Sequence, residues 1–289
     1  MWLFLLIGLV FPNFALGLDT DTPIPDDQIP IGLVRINIRY DDGKRAMVSG
    51  SIAGVSNDSG HLVGTQIITA GHLVPAPFEI ESITRADGTT IPNDLVDGMR
   101  IATYGDVLTF HLARAVPTDI ELPKETPITP THSTFGAKYQ VLTEPLQSFG
   151  FGSSGPERKA GKARGMYVNH TSRQNEDYTS NRDSTSRINP GDSGGPLLQK
   201  DGKIFILRGV ASAFPLGAGV LDHNIWCRVD TKYHAGWLAH SSGYEPVGTL
   251  LYKTPTELRD PETPNVVSRV VRDGQSRCGP PLEALSGSK

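Results

Sequence analysis

Gly191-Asp192-Ser193-Gly194-Gly195-Pro196 runs into Leu197-Leu198-Gln199-Lys200 and a turn at Asp201-Gly202, and the fold class follows from this stretch. Three glycines around one serine allow a turn tight enough to expose the hydroxyl and to aim neighbouring amides at one point. The two leucines and the Asp-Gly turn leave room for a short strand and none for a helix. A serine hydroxyl attacks poorly at neutral pH, so a nucleophilic role requires a histidine base, an acid to orient it and donors for an oxyanion. Upstream, Thr69-Ala70-Gly71-His72 closes the run Gln66-Ile67-Ile68, and Asp106 opens Val107-Leu108-Thr109-Phe110-His111-Leu112. Candidate base, acid and nucleophile therefore stand in the order His72, Asp106, Ser193.

Outward from this stretch the chain reads as strands. Val34, Ile36, Ile38 and Tyr40 alternate with Arg35, Asn37 and Arg39, the period of two of a half-buried strand, and Asp41-Asp42-Gly43 forms the turn. Ala46–Ala53, Leu62–Thr69, Met99–Tyr104, Val107–Ala113, Gln140–Thr143, Lys203–Ala211 and Gly219–Val229 follow, nearly all divided by turn residues. Long helix-period stretches are absent, which predicts an all-β barrel or sandwich. Prolines at 117, 123, 127 and 130 place the connection between two halves in residues 116–132. Tyr233–Ser241 reads as a short terminal helix, its Trp237 and Leu238 packing back on the second half. Leu18–Pro30 is acidic and proline-containing and reads as an exposed leader; Gly243–Lys289 reads as an irregular tail.

With 289 residues, 38% of them hydrophobic and 20% charged, the chain has enough apolar surface for two barrels of about 100 residues each. A net charge of −4 with scattered basic residues gives no reason to expect a nucleic acid or an anionic membrane as partner. Met1–Gly17 is apolar and ends in Ala15-Leu16-Gly17, the small-x-small pattern of a secretory signal. It lacks a basic beginning and, with Pro12 and Asn13, is short for a membrane span, which needs about 20 apolar residues. Two cysteines, Cys227 and Cys278, fit a single disulfide in an oxidising compartment. Asn57-Asp58-Ser59 and Asn169-His170-Thr171 are glycosylation sequons for a eukaryotic host. Neither the eight histidines nor the two cysteines have metal-ligand spacing, and glycine-rich phosphate or dinucleotide loops are missing, so no metal and no cofactor are expected.

In residue type and order, the contexts of His72, Asp106 and Ser193 resemble those of the trypsin-like, chymotrypsin-fold serine peptidases over residues 31–240. The resemblance implies two six-stranded antiparallel β-barrels with the active site between them, a short C-terminal helix, and an irregular extension over 241–289. A signal at 1–17 and a leader at 18–30 precede the domain. It also implies that His72 takes the proton of Ser193, that Asp106 fixes the imidazole tautomer, and that the amides of Gly191 and Ser193 form the oxyanion hole. The implied activity is a secreted endopeptidase acting on protein or peptide, with no membrane association once the signal is removed.

The chain also departs from that family. Leu73 and Asn189 stand where animal members carry cysteines. The family's counterpart of Asp192 pairs with a new N-terminal ammonium after propeptide cleavage, yet no Arg or Lys precedes an Ile-Val-Gly-Gly sequence here. Ile29-Pro30-Ile31-Gly32 lies at about the right distance from His72, and Lys44-Arg45 lies too near. Two other readings stay open. One is a catalytically silent relative acting as a binding protein. The other is an α/β-hydrolase using Gly191-x-Ser193-x-Gly195 as its elbow, with acid and base after the serine from Asp222, Asp230, His223, His234 or His240. Asp94 and Asp97 are fallback acids.

Substrate preference rests on the pocket. Trypsin's specificity aspartate sits six positions before the serine, and an ungapped count reaches Arg187 (193 − 6). The strand Val210-Ala211-Ser212-Ala213-Phe214 resembles the family's substrate-binding strand, which makes Ser212 and Phe214 pocket candidates, the phenylalanine narrowing the entrance. A guanidinium in a desolvated pocket repels a cationic side chain. Cleavage of a peptide library is therefore expected to disfavour Lys and Arg before the scissile bond; dominant cleavage after either would show that this pocket alignment is wrong.

Overall fold

A computed structural model describes residues 24–73, 77–102, 105–127, 132–134, 137–142, 144–152, 162–168, 172–173, 177–180, 188–213, 224–239 and 249–252. The first sheet is built from β1 (Leu33–Tyr40), β2 (Arg45–Ser56), β3 (Leu62–Thr69), β4 (Phe78–Arg85), β5 (Thr90–Ile91), β6 (Val96–Ala102) and β7 (Leu108–Pro117). Antiparallel pairing orders them β5-β4-β1-β2-β3-β7-β6. The alternation of β1 is seen directly: Val34, Ile36 and Ile38 are buried while Arg35 and Asn37 are half-buried and Arg39 is exposed. On β4 the same alternation fails, because Asn37 faces Ser82 while Ile38 faces Ile80, leaving Glu81 as a bulge.

β8 (Ile120–Glu121) lies parallel to β2 at Gly54 and carries the chain to the second sheet. That sheet comprises β9 (His132–Thr134), β10 (Ala137–Val141), β11 (Leu146–Gly150), β12 (Arg164–Val168), β13 (Ser172–Arg173), β14 (Asp177–Thr179), β15 (Pro196–Asp201), β16 (Ile204–Ala213) and β17 (Ile225–Arg228). Its antiparallel order is β9-β10-β13-β14-β17-β16-β15-β11-β12, and β8 also pairs with β16. The architecture is all-β, as the alternation predicts. One apolar cluster runs through both sheets, from Leu33, Ile36, Ile67 and Phe110 to Phe149, Leu198, Leu207 and Val229, and a smaller one lies under Tyr178 and Trp226.

Three segments depart from the sequence expectation. Helix α1 (Lys232–Ala239) forms close to where it is expected but packs on the first sheet. The buried Gln66 of β3 donates to the Leu238 carbonyl at 2.8 Å, and the Arg100 guanidinium of β6 lies 4.8 Å from the Trp237 ring. The cause is mutual need: the last-turn carbonyls of a helix require donors, and a buried amide requires an acceptor. The tail contributes a strand, β18 (Thr249–Tyr252), antiparallel to β6, whose free edge offers unpaired backbone groups. Part of the leader is core: Ile24 is 5% exposed, and its amide donates to the Gly165 carbonyl at 3.0 Å.

The inter-sheet connection is fastened by a buried ionic cluster. Asp230, 0% exposed, accepts hydrogen bonds from Arg228 Nε at 2.9 Å and Tyr178 Oη at 2.8 Å. Arg228 Nη2 reaches the Thr126 carbonyl, and Arg208 Nη1 reaches its hydroxyl, both at 2.8 Å. Asp230 thus ties Arg228 and Tyr178 into a structural cluster. Cys227 is fully buried on β17, and no free thiol occurs among the described residues. Met1–Gly17, Asn169 and Cys278 lie outside them. Among the described residues no helix is long and apolar enough to cross a membrane.

Candidate active site

Antiparallel pairing of Thr69 with Leu108 brings the end of β3 and the start of β7 to the same edge of the first sheet. His72, on a 3-10 turn just past β3, and Asp106, just before β7, meet there as a consequence. Asp106 Oδ1 accepts the His72 amide at 2.5 Å, and Oδ2 lies 2.6 Å from His72 Nδ1. A carboxylate only accepts, so the proton of this contact sits on Nδ1 and leaves Nε2 as the basic nitrogen. Ser212 Oγ donates to the same Oδ2 at 2.5 Å. The bulge between Ala211 and Ala213 on β16 takes Ser212 out of the ladder and turns it toward the acid.

Asp106 is 2% exposed while the His72 side chain keeps 22% exposure. Burial raises the cost of the Asp106 charge, but the charge of His72 and the hydrogen bonds from His72 and Ser212 outweigh it and hold the carboxyl below its ordinary value. The acid is therefore ionised and fixed, and the imidazole is oriented and reachable.

The Ser193 turn is docked between the two sheets. The Ser49 amide of β2 donates to the Ser193 carbonyl at 2.9 Å, and the Gly194 amide donates to the Ala211 carbonyl of β16 at 2.8 Å. Gly194 has φ +82, and a Cβ there would stand 2.0 Å from Thr69 Oγ1 and 2.9 Å from the Ala70 nitrogen, so this turn abuts the segment that leads to His72. The amides of Asp192 and Gly195 bond back into the turn. Those of Gly191 and Ser193, the expected oxyanion donors, have no acceptor among the described residues. After Pro196 the chain leaves as β15 and not as a helix, which removes the α/β-hydrolase elbow.

Asp192 is 1% exposed. Its Oδ1 accepts the Gly152 amide at 2.7 Å, and Oδ2 accepts the Asn189 amide at 2.9 Å. A Cβ at Gly150 or Gly152 would fall 2.2 or 2.5 Å from its carboxylate oxygens, so only bare backbone admits the group this deeply. Desolvation pushes its pKa up to about 7, against the pull of the two amides and of Arg164. Ile31, the residue near which a new N-terminus is sought by resemblance, is held elsewhere: its amide and that of Gly32 donate to Asp119, each at 3.0 Å.

Of the other expected site residues, Ser212 commits its hydroxyl to Asp106, while Arg187 and Phe214 lie outside the described residues. Asp97 pairs with His111 at 2.5 Å on the surface, and Asp94 sits in a separate 3-10 turn. His234 meets Thr231 at the start of α1. Asp222, His223 and His240 are outside the described residues. Sequence reasoning missed Ser49 and the Gly150/Gly152 cradle. The alternation Gly150-Phe151-Gly152 was the one available signal.

No family model matches the chain, and no curated protein matches it by sequence. Solved structures do. An inactivated protease paralogue of the scabies mite is 14% identical with a TM-score of 0.52, over 78% of this chain and 97% of that one. The active form of the Rv3671c protease from M. tuberculosis is 14% identical with a TM-score of 0.46, covering 81% and 93%. A mutant of the Tobacco Etch Virus protease is 12% identical with a TM-score of 0.48, covering 81% and 87%. At this identity the first likeness shows the fold alone, and that fold is the chymotrypsin-like protease fold.

A carboxyl whose pKa rises on folding stabilises the protein fully below its unfolded value, and that contribution is lost as pH rises through the folded value. Relative to Asp192→Asn, the wild-type protein is expected to lose a few kcal/mol of stability between about pH 4 and about pH 7. Denaturant unfolding at several pH values measures this difference. Parallel curves for the two proteins would mean that Asp192 is ionised throughout.

Proposed function

We propose that this chain is a serine endopeptidase working through Ser193, His72 and Asp106. The observation that carries the reading is the buried Asp106 carboxylate, which holds both the ring and the backbone of His72 beside a serine turn with two uncommitted amides. Burying an anion this completely is costly unless it is paired. As an orienting acid the position has a use.

In the proposed reaction, Ser193 Oγ adds to the scissile carbonyl carbon while His72 Nε2 takes the hydroxyl proton. The carbonyl oxygen gains negative charge and is met by the amides of Gly191 and Ser193. As the intermediate collapses, the C–N bond breaks, His72 returns the proton to the leaving amine, and an acyl-enzyme remains. Water then attacks the ester with His72 as base, releasing the acid and restoring Ser193. Asp106 stays ionised, stabilising the imidazolium at each stage.

The silent binding-protein reading draws on the scabies mite neighbour, an inactivated protease paralogue. The oriented His72 favours the enzyme. The proposal includes secretion by the Met1–Gly17 signal, a protein or peptide substrate, a pocket shaped by Arg187 and Phe214, and a Cys227–Cys278 disulfide tying the tail to β17.

Ser193→Ala is expected to abolish labelling by a fluorophosphonate and to lower turnover by about 10⁶, because the three residues act as a unit. Undiminished labelling of the variant would remove Ser193 from the chemistry. Mapping the same preparation without reduction should recover Cys227 and Cys278 in one cross-linked peptide; two free thiols in material secreted by its host would defeat the bond.

A further inference from the structure

Ser49 takes no part in the chemistry proposed above, yet its hydrogen bonds converge on the serine turn. It is 0% exposed on β2. Its hydroxyl donates to the Gly191 carbonyl at 2.7 Å and accepts the Phe151 amide at 2.9 Å. Its own amide donates to the Ser193 carbonyl at 2.9 Å, and its carbonyl accepts Thr69 Oγ1 at 2.7 Å.

We propose that Ser49 is a positioning residue for the oxyanion donors: one side chain and one amide hold the carbonyls of Gly191 and Ser193, whose peptide groups flank the one that carries the Ser193 amide and adjoin the one that carries the Gly191 amide, and so limit how far those two amides can turn. The inference rests on the peptidase reading. Gly191, at φ +99, has no side chain to hold its peptide, and its neighbour on the Cβ side is the Met47 methyl, an apolar contact that sets no direction for a carbonyl. The Ser49 hydroxyl provides that direction. Because it donates to one peptide while accepting from another, the two bonds strengthen each other.

The Phe151 amide ties the same hydroxyl to the segment whose next residue, Gly152, grips Asp192. Two consecutive residues of the turn are thereby held from outside it, Gly191 by the Ser49 hydroxyl and Asp192 by the Gly152 amide. Removing the hydroxyl leaves a half-buried carbonyl and a buried amide unpaired and frees the Gly191 carbonyl to turn.

A built-in control lies two residues along the strand. Ser51 is as fully buried, and its hydroxyl has no partner among the described residues. Fluorophosphonate labelling rates and steady-state kinetics are to be measured on wild type, Ser49→Ala, Ser51→Ala and Ser49→Cys, the last keeping a small, weaker donor. Ser49→Ala is expected to lose about 10- to 100-fold in labelling rate and kcat with KM within twofold, the signature of an interaction made in the transition state. Ser49→Cys should fall between it and wild type, and Ser51→Ala should stay within twofold.

Ser49→Ala labelling within twofold of wild type, or a raised KM at unchanged kcat, would overturn the proposal; should that variant not fold, Ser49→Cys is judged by the same two criteria. A wild-type protein that neither labels nor hydrolyses would instead defeat the peptidase reading. The positioning role then remains readable by hydrogen exchange over residues 189–195, where Ser49→Ala should exchange at least tenfold faster and Ser51→Ala should not. Unchanged protection in Ser49→Ala would overturn it there.

Discussion

The Asp106 carboxylate is the point at which the two sheets are made to agree. It receives the backbone and ring of His72 from the first sheet and the hydroxyl of Ser212 from β16 in the second. An anion buried to this degree is tolerated only while its partners stay in place. Displacement of β16 from the first sheet would strip one donor from Asp106 and, through the Gly194–Ala211 bond, shift the serine turn as well. The register between sheets and the geometry of the site are therefore one constraint.

Around that point the serine turn is held by many backbone and short side-chain hydrogen bonds. Ser49 bonds it from β2, Ala211 from β16, and Gly152 and Asn189 take its aspartate. Asp192 is the weak member of this set, with two amide donors against full desolvation, and its raised pKa expresses that imbalance. The cradle exists because Gly150 and Gly152 have no Cβ.

Legibility in the sequence varied with how local the cause is. The alternation in β1 and the brief leucine pair after Pro196 are local, and both segments fold as that pattern requires. β4 escaped because its bulge shifts the phase of burial from Phe78 and Ile80 to Ile83, so no single period runs through it. Helix α1 was visible as a helix, but the sheet that receives it was not, since Gln66 and Arg100 are 172 and 137 residues distant from their partners. The strand β18 was hidden for a similar reason: a tail without apolar alternation pairs because β6 has a free edge.

Residue type and order alone pointed to the proposed chemistry: a serine among glycines, a histidine at a strand end, an acid at a strand start, and a β rather than helical exit from Pro196. These are legible because each depends on a few neighbouring residues and on reactivity that belongs to the side chain itself. Folding in three dimensions settled how those groups are held. The hydroxyl of Ser212 turns to Asp106 because a bulge removes it from its ladder, Ser49 reaches Gly191 across 142 residues of chain, and Asp192 accepts the amide of Gly152 across 40. Hydrogen bonds between residues so distant in sequence leave no periodic trace, because each partner is free to be any residue whose backbone arrives at the right place.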